Sequence, residues 1–416
     1  MTRSSPYRLL EVFGIEIEYG IADARTLDPA PYADWLLSEA TGVRRACDYE
    51  DGNLGWSNEL VNHVLEFKNI QPVHDASGLV EDFQRNVRQA NRLLQERGCR
   101  LFPTGMHPWM RPNRETRLWP FEANEIYSTY DRIFDCRRHG WANVQSVQIN
   151  VSFSGDKEFA LLHAASRLIL PLTPALAASS PFTEGAFSGS LDARLHHYRT
   201  NSTLIPLITG DVIPEPIYDE ASYRKLIFEP LFEAIAPHDP ERLLRQLFLN
   251  ARGAIPRFDR GAIELRLADA QECPAADLSI SLALLSGLRY LIHSSPVSHA
   301  EQAAFPTKAL STLLNQAAKE GAATRVQDPA LARIFGATHR DDLTLGELWQ
   351  IILRHDSDHV KAIPSEHHRV LRTILEQGTL ADRILRATGK SPDHAKLHSV
   401  YGRVADCLEA GTLFLP

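Results

Sequence analysis

Paired cysteines, a basic excess and long apolar runs are all missing from this 416-residue sequence, and each absence closes a class of function. The five cysteines, Cys47, Cys99, Cys136, Cys273 and Cys407, are scattered and form no C-x-x-C pair. Neither a thiolate zinc site nor a disulfide framework is expected, which fits a reducing compartment. Forty-four Lys and Arg stand against 52 Asp and Glu, a net charge of -8, so no nucleic acid or anionic membrane is expected as a general partner. No stretch reaches the roughly 18 consecutive apolar residues of a membrane span, and "MTRSSPYRLLEVFG" has no apolar segment of signal-peptide type. A cytoplasmic location is expected. A phosphate-binding P-loop is absent too: the "GKS" at residues 389–391 has Ile384 in place of the motif's first glycine and follows a helical pattern, so it reads as a helix C-cap.

What is present is a repeated strand design. In "FGIEIEYG", residues 13–20, side chains alternate, so Ile15, Ile17 and Tyr19 face one way and Glu16 and Glu18 the other. "HVLEFKN" puts Leu65 and Phe67 opposite Val64, Glu66 and Lys68. "NVQSVQINVSF" puts Val147, Ile149, Val151 and Phe153 opposite Ser146, Gln148, Asn150 and Ser152. "GAIELRLADAQ" puts Ile263, Leu265 and Leu267 opposite Glu264 and Arg266. Leu79, Val80, Phe83, Val87, Ala90 and Leu94 recur at helical spacing before Gly98, which predicts an amphipathic helix over the apolar face. Residues 102–117 hold three prolines and three arginines without periodicity and are expected to be a loop. From about Asp277 onward the segments are rich in leucine and alanine. The expected organisation is a catalytic domain over 1–293 and a helical region over 294–416 packed onto it.

If the four strands share one antiparallel sheet, Glu16, Glu18, Glu66 and Glu264 converge on its polar face. So many carboxylates without a cation would raise their own pKa values or destabilise the fold. Oxygen-only ligands select hard cations, Mg2+ or Mn2+, which also bind substrate phosphates. Arg111, Arg114, Arg194, Arg199, Arg252, Arg257 and Arg260 lie in Gly- and Pro-rich segments, and guanidinium forks suit phosphates and carboxylates. The "HDSDH" of residues 355–359 offers two histidines at i and i+4, but with no third ligand it reads as a polar helix end.

These segments resemble the glutamate-cysteine ligase and carboxylate-amine ligase superfamily. "GIEIEY" is similar to its first metal strand, and "NELVNHVLEF" to its second motif, whose acidic residues correspond to Glu59 and Glu66. "VQINVSF", "ASSPFTEG" with Arg194 and Arg199 downstream, and "GAIELRLADAQ" follow in the family's order, so the resemblance spans about residues 13–275. It implies an α+β, glutamine synthetase-like fold: an antiparallel sheet with an acidic concave face, helices on the other face, and a helical C-terminal region. It also implies metal at Glu16, Glu18, Glu59, Glu66 and Glu264, catalysis by Arg266 with Glu66 and Glu264, and substrate binding by Arg194, Arg199, Asn150 and Gln148. ATP would be the co-substrate, Mg2+ or Mn2+ the cofactor, and small acids and amines the partners, with a homo-oligomer as one possible assembly. Gln148 departs from the family, where many members carry histidine. The activity implied is ATP-dependent amide formation through an acyl phosphate, joining glutamate to an amine or an amino acid such as cysteine. A metal-dependent hydrolase or a non-catalytic binding protein on the same fold are the alternatives.

Overall fold

Alternation over eleven residues makes β1 (Phe13–Asp23) the strand on which the sheet is organised in the computed structural model, which describes residues 6–338, 340–354 and 363–416. Around it lie β2 (Asp48–Asp51), β3 (Leu54–Asn58), β4 (Val64–Asn69), β5 (Cys99–Phe102), β6 (Ser146–Ser152), β9 (Ala254–Arg257) and β10 (Ala262–Asp269). A separate two-stranded hairpin is made by β7 (Phe182–Thr183) and β8 (Ala186–Phe187). The main sheet has eight strands in the order β2-β3-β4-β1-β6-β10-β9, with β5 pairing to the far end of β1. Every pairing in it is antiparallel. The four strands expected from alternation are β1, β4, β6 and β10. The other four run four or five residues each, too short for alternation to mark.

One face of this sheet is core. Ile15, Ile17, Tyr19, Leu65, Phe67, Ile149, Val151, Ile263 and Leu265 are all buried, each apolar side chain contributing ~1.5–3 kcal/mol relative to exposure. The helix Leu79–Leu94 supplies Phe83, Val87, Ala90 and Leu94 to the same cluster. It ends through a 3-10 turn at Gly98, whose φ of 64° is the left-handed conformation that glycine adopts without penalty. The helix Pro274–His293 is long and apolar enough to cross a membrane by length and composition, but 89% of its apolar window is buried inside the protein. It is the central core helix, and its Asp277 accepts the Tyr19 hydroxyl at 2.6 Å.

The C-terminal helices grip the rest of the chain. Gln84 donates to the Leu408 carbonyl at 2.9 Å, and Arg383 pairs with Glu272, both fully buried. The expected loop of residues 102–117 is irregular up to a short helix, Pro112–Glu115, but it is not a surface loop. Thr104, Met106, His107 and Met110 are buried. Phe102 stacks on Tyr401 at 6.1 Å, so the loop is wedged between the sheet and the C-terminal helices. Gly105 is required there, because a Cβ would come within 2.3–2.7 Å of the Asp269 carboxylate. Gly389 caps the helix Leu380–Thr388, as read from sequence. Residues 355–359, with the two histidines, lie outside the described residues.

Candidate active site

Antiparallel register turns the alternation of single strands into a cluster. Glu18 stands opposite Glu66 across β1 and β4, Glu16 opposite Gln148 across β1 and β6, and Glu264 opposite Asn150 across β10 and β6. Glu59, just past the end of β3, completes the group. One oxygen from each of Glu18, Glu59 and Glu66 lies within 4.8 Å of the others. The register of β10 shifts between Leu265 and Ala268, and Arg266 sits in that irregularity. Such bulges re-aim side chains beside active sites.

The carboxylates are held far from their solution behaviour. Burial, then Glu66 and Glu264, push Glu16 up to about 8. Burial and then Glu66 push Glu18 up to about 7. Glu59 is raised well above the usual range by burial, Glu18 and Glu66. Glu264 goes the other way: burial opposes its ionisation, but Arg266 and Arg257 outweigh it and hold the carboxyl low. Arg266 Nη2 donates to Glu264 at 2.6 Å and Arg257 Nη1 donates at 2.9 Å. Lys68 donates to Glu66 at 2.8 Å, and the Ser57 hydroxyl donates to the same oxygen at 2.7 Å.

The two amides expected to bind substrate are hydrogen-bonded to the glutamates. Gln148 donates to Glu18 at 2.8 Å and accepts from Arg266 at 3.2 Å. It thus bridges an acid and a base through a group that does not titrate. Asn150 donates to Glu16 at 3.0 Å, while its Oδ1 is buried without a partner among the described residues. An unpartnered carbonyl oxygen beside carboxylates is a fitting ligand for a hard cation.

Above this floor opens a cleft of about 490 Å3, of the size small-molecule sites have. Glu16, Glu18, Glu59, Glu66, Glu264, Gln148, Arg266 and Arg194 all line it. Arg194 is 2% exposed. Its Nε donates to Asp269 at 2.5 Å and its Nη2 to the Leu267 carbonyl at 2.6 Å, leaving Nη1 without a partner among the described residues. Asp269 also accepts from the Ser180 hydroxyl at 2.7 Å and the Ser179 amide at 2.9 Å. Arg199 does not belong to this group. Five residues past Arg194 on the helix Ala193–Thr200, it is turned outward and donates to Asn315. Arg111 and Arg114 are exposed outside the cleft, and Arg252 is spent on Glu215 at 2.5 Å.

The cleft also holds residues that were not singled out from sequence. Lys68 shares the polar face of β4 with Glu66, so alternation carried its signal. Tyr127, Tyr130, Trp141, Tyr198 and Phe248 cover the cleft from outside the sheet, and no local pattern marks such contacts. Asp269 lies beyond the β10 irregularity, where strand parity no longer predicts a face.

Comparison with known proteins places this architecture. The family model for glutamate-cysteine ligase family 2 (GCS2) matches residues 12–402. An uncharacterized protein of Archaeoglobus fulgidus is 30% identical over 404 residues, 97% of this chain and 100% of that one. A putative glutamate–cysteine ligase 2 of Ectopseudomonas mendocina is 27% identical over 277 residues, covering 65% of this chain and 64% of that one. Among solved structures, a glutamate–cysteine ligase from Francisella tularensis in complex with AMP superposes with a TM-score of 0.62 at 13% identity, over 96% of this chain and 89% of that one. A bifunctional glutathione synthetase from Pasteurella multocida gives a TM-score of 0.56 at 14% identity, over 96% and 51%. At these identities the two structures speak for the fold alone. The family match runs over nearly the whole chain, and on it the protein belongs to glutamate-cysteine ligase family 2 and thereby to the ATP-dependent carboxylate-amine ligases.

Proposed function

We propose that this protein joins the side-chain carboxylate of glutamate, or of a close amino-dicarboxylate, to an amine through an acyl phosphate, acting on small molecules in the cytoplasm. The observation that carries the reading is the floor of the cleft, where five glutamates and an arginine pair lie within reach of one separately buried arginine, Arg194. The donor set fits hard divalent cations: oxygens of Glu18, Glu59 and Glu66 are clustered, three carboxyls are pushed up, and Asn150 Oδ1 lacks a partner among the described residues. Glu18, Glu59 and Glu66 would hold one Mg2+ or Mn2+, and Glu16, Glu264 and Asn150 a second. Such ions, when bound, neutralise triphosphate oxygens.

The chain's own groups do the rest. Arg266, anchored on Glu264 and Gln148, offers positive charge to the phosphoryl group in transfer. Arg194 holds the acid by its remaining nitrogen, oriented in advance by Asp269. The acid's carboxylate oxygen bonds to the γ-phosphorus and ADP leaves; the amine nitrogen then bonds to the acyl carbon and phosphate leaves. An acid carrying 18O in its reacting carboxylate is therefore expected to pass one labelled oxygen to the released phosphate. Unlabelled phosphate during confirmed amide formation would sink this route.

The raised carboxyls yield a second expectation. Glu16 and Glu18 bind protons more tightly folded than unfolded, where they titrate near 4.5. The stability due to their protonated forms is complete below that value and is lost as pH rises through about 7 and about 8. A divalent cation replaces those protons. The melting temperature in Mg2+ minus that in chelator should therefore widen from about pH 5 to about pH 8. A gap that stays constant would remove the cation reading.

A further inference from the structure

The helix that carries Arg194 reaches the other half of the cleft as well. Tyr198 follows Arg194 by four residues on the helix Ala193–Thr200, so the two side chains share a face, and both line the cleft. The Tyr198 hydroxyl gives its one proton to the Ala251 carbonyl at 2.8 Å. Its oxygen is left to accept, which it does from the Arg266 guanidinium. The helix is held at both ends. Asp192 caps its start by accepting the Leu195 amide at 2.8 Å, and Trp141 Nε1 donates to the Asn201 carbonyl just past its end at 3.0 Å. No gap separates it from the helix His139–Ala142, since a Cβ on Gly140 would lie 2.4 Å from the His197 carbonyl oxygen.

The segment under Tyr198 holds Arg266 a second time. The Ala251 amide donates to the Ile208 carbonyl at 2.9 Å, and two residues on the Gly253 amide donates to the Val212 carbonyl at 2.7 Å. The Gly253 carbonyl accepts the Arg266 amide at 3.1 Å. The main chain of Arg266 and, through Tyr198, its guanidinium thus rest on one short stretch, residues 251–253. From the floor, Nε and Nη2 of Arg266 donate to the same oxygen of Glu264 at 3.0 and 2.6 Å, and Nη2 also to Gln148 at 3.2 Å. Two nitrogens on one oxygen leave a planar group able to swing about that oxygen, and the Gln148 contact is long and involves no second charge. The Tyr198 oxygen, coming from the wall, gives the guanidinium a further fixed point without adding charge.

We infer that Tyr198 is a positioning residue for Arg266: its hydroxyl, fixed on the Ala251 carbonyl, sets the guanidinium where the phosphoryl group passes, and its helix aligns that guanidinium with Arg194. This rests on the ligase reading above, in which Arg266 meets the phosphoryl group and Arg194 the acid. In the first step the acid's carboxylate oxygen forms a bond to the γ-phosphorus as the bond from that phosphorus to the β,γ-bridging oxygen breaks, and ADP leaves with the electron pair. Tyr198 neither gives nor takes a proton in it. Its contribution is orientation, to which transfer rates respond steeply, a misplacement of about 1 Å costing up to about 10²-fold.

Tyr198→Phe keeps the ring and removes only the oxygen. The full chain is assayed with Mg2+, ATP and glutamate or another dicarboxylic acid, with hydroxylamine as a small acceptor for the acyl phosphate, and ADP release is followed. The kcat should fall about tenfold or more, with the KM for ATP and for the acid within about twofold. ADP with aluminium fluoride, which imitates the phosphoryl group in transfer, should bind about tenfold more weakly in the presence of the acid, while ADP alone binds as before. Arg266→Lys should slow the reaction further, and Tyr198→Phe added to it should cost nothing more, because a residue acting through Arg266 then has nothing left to orient. Lower stability with unchanged constants in the folded fraction would show that the hydroxyl only braces the fold. Unchanged kcat in Tyr198→Phe, a raised KM for the acid or the acceptor in its place, or effects of the two substitutions that multiply would each overturn the inference and leave the ligase reading standing. If the unsubstituted chain releases no ADP with any acid in the presence of hydroxylamine, the ligase reading falls and the inference with it.

Discussion

Glu66→Gln is expected to lower ADP release by about 10²–10³-fold while leaving the melting temperature unchanged or slightly higher. The amide keeps the shape of the side chain and still accepts the Ser57 hydroxyl, now found at 2.7 Å. It removes one of three carboxylates crowded within 4.8 Å, so the repulsion that raises Glu18 and Glu59 falls. Lys68 loses its charged partner but keeps the Ser57 oxygen at 2.8 Å, and its side chain is 38% exposed so that water can take over, which limits the loss to ~1 kcal/mol or less. Glu264→Gln should behave differently although the sequence presents the two glutamates alike. The Glu264 side chain is 2% exposed and is the shared counter-charge of Arg257 and Arg266. Its loss leaves two guanidinium groups facing each other, a destabilisation of ~3–5 kcal/mol. Assaying both variants for ADP release and thermal unfolding separates the roles. Full ADP release by Glu66→Gln would remove the carboxylate cluster from the mechanism, and an unchanged melting temperature for Glu264→Gln would show that the arginine pair is satisfied by solvent.

That divergence marks the boundary of what the sequence discloses. Period-two alternation is a property of one strand, so it revealed that Glu16, Glu18, Glu66, Gln148, Asn150, Glu264 and Arg266 share a face. It could not reveal which of them meet, because register is fixed by pairing between strands, and only there does Glu18 come opposite Glu66 and Glu264 opposite Asn150. Arginines were the hardest to place. A long side chain on a helix or loop is directed by whichever acid tertiary folding brings near, and so Arg199 left the site for Asn315 while Arg257 entered it. The aromatic wall arises from segments around Tyr130, Trp141 and Phe248, separated by up to about a hundred residues and joined by nothing periodic. Residues 102–117 were legible as irregular backbone, but their burial was not, since it depends on Trp109 and Phe102 meeting Tyr401 from the far end of the chain.

Asp269→Asn should produce the second large effect, on both stability and recognition of the acid. Asp269 is fully buried and gathers Arg194 at 2.5 Å, the Ser180 hydroxyl at 2.7 Å and the Ser179 amide at 2.9 Å. Asparagine preserves the volume, which matters beside Gly105, but withdraws the charge that neutralises a guanidinium 2% exposed. An unpaired buried cation costs ~3–5 kcal/mol. Asp192 moderates the loss. Burial, and then the Asp269 charge, raise its carboxyl well above the usual range, and Arg194 pulls it down. Once position 269 is neutral, Asp192 is free to ionise and pair with Arg194 in part. The Asp192→Asn, Asp269→Asn double variant should therefore be less stable than the two single losses sum to. A merely structural role would lower the amount of folded enzyme and leave its constants alone. If Asp269 aims Arg194 at the acid, the folded fraction should instead show the KM for the acid rising about tenfold or more with the KM for ATP little changed. Ser180→Ala, which removes one hydrogen bond and no charge, should fold and show a smaller shift in the same direction. An unchanged KM for the acid in both Asp269→Asn and Ser180→Ala would show that Arg194 holds the fold together and does not touch substrate.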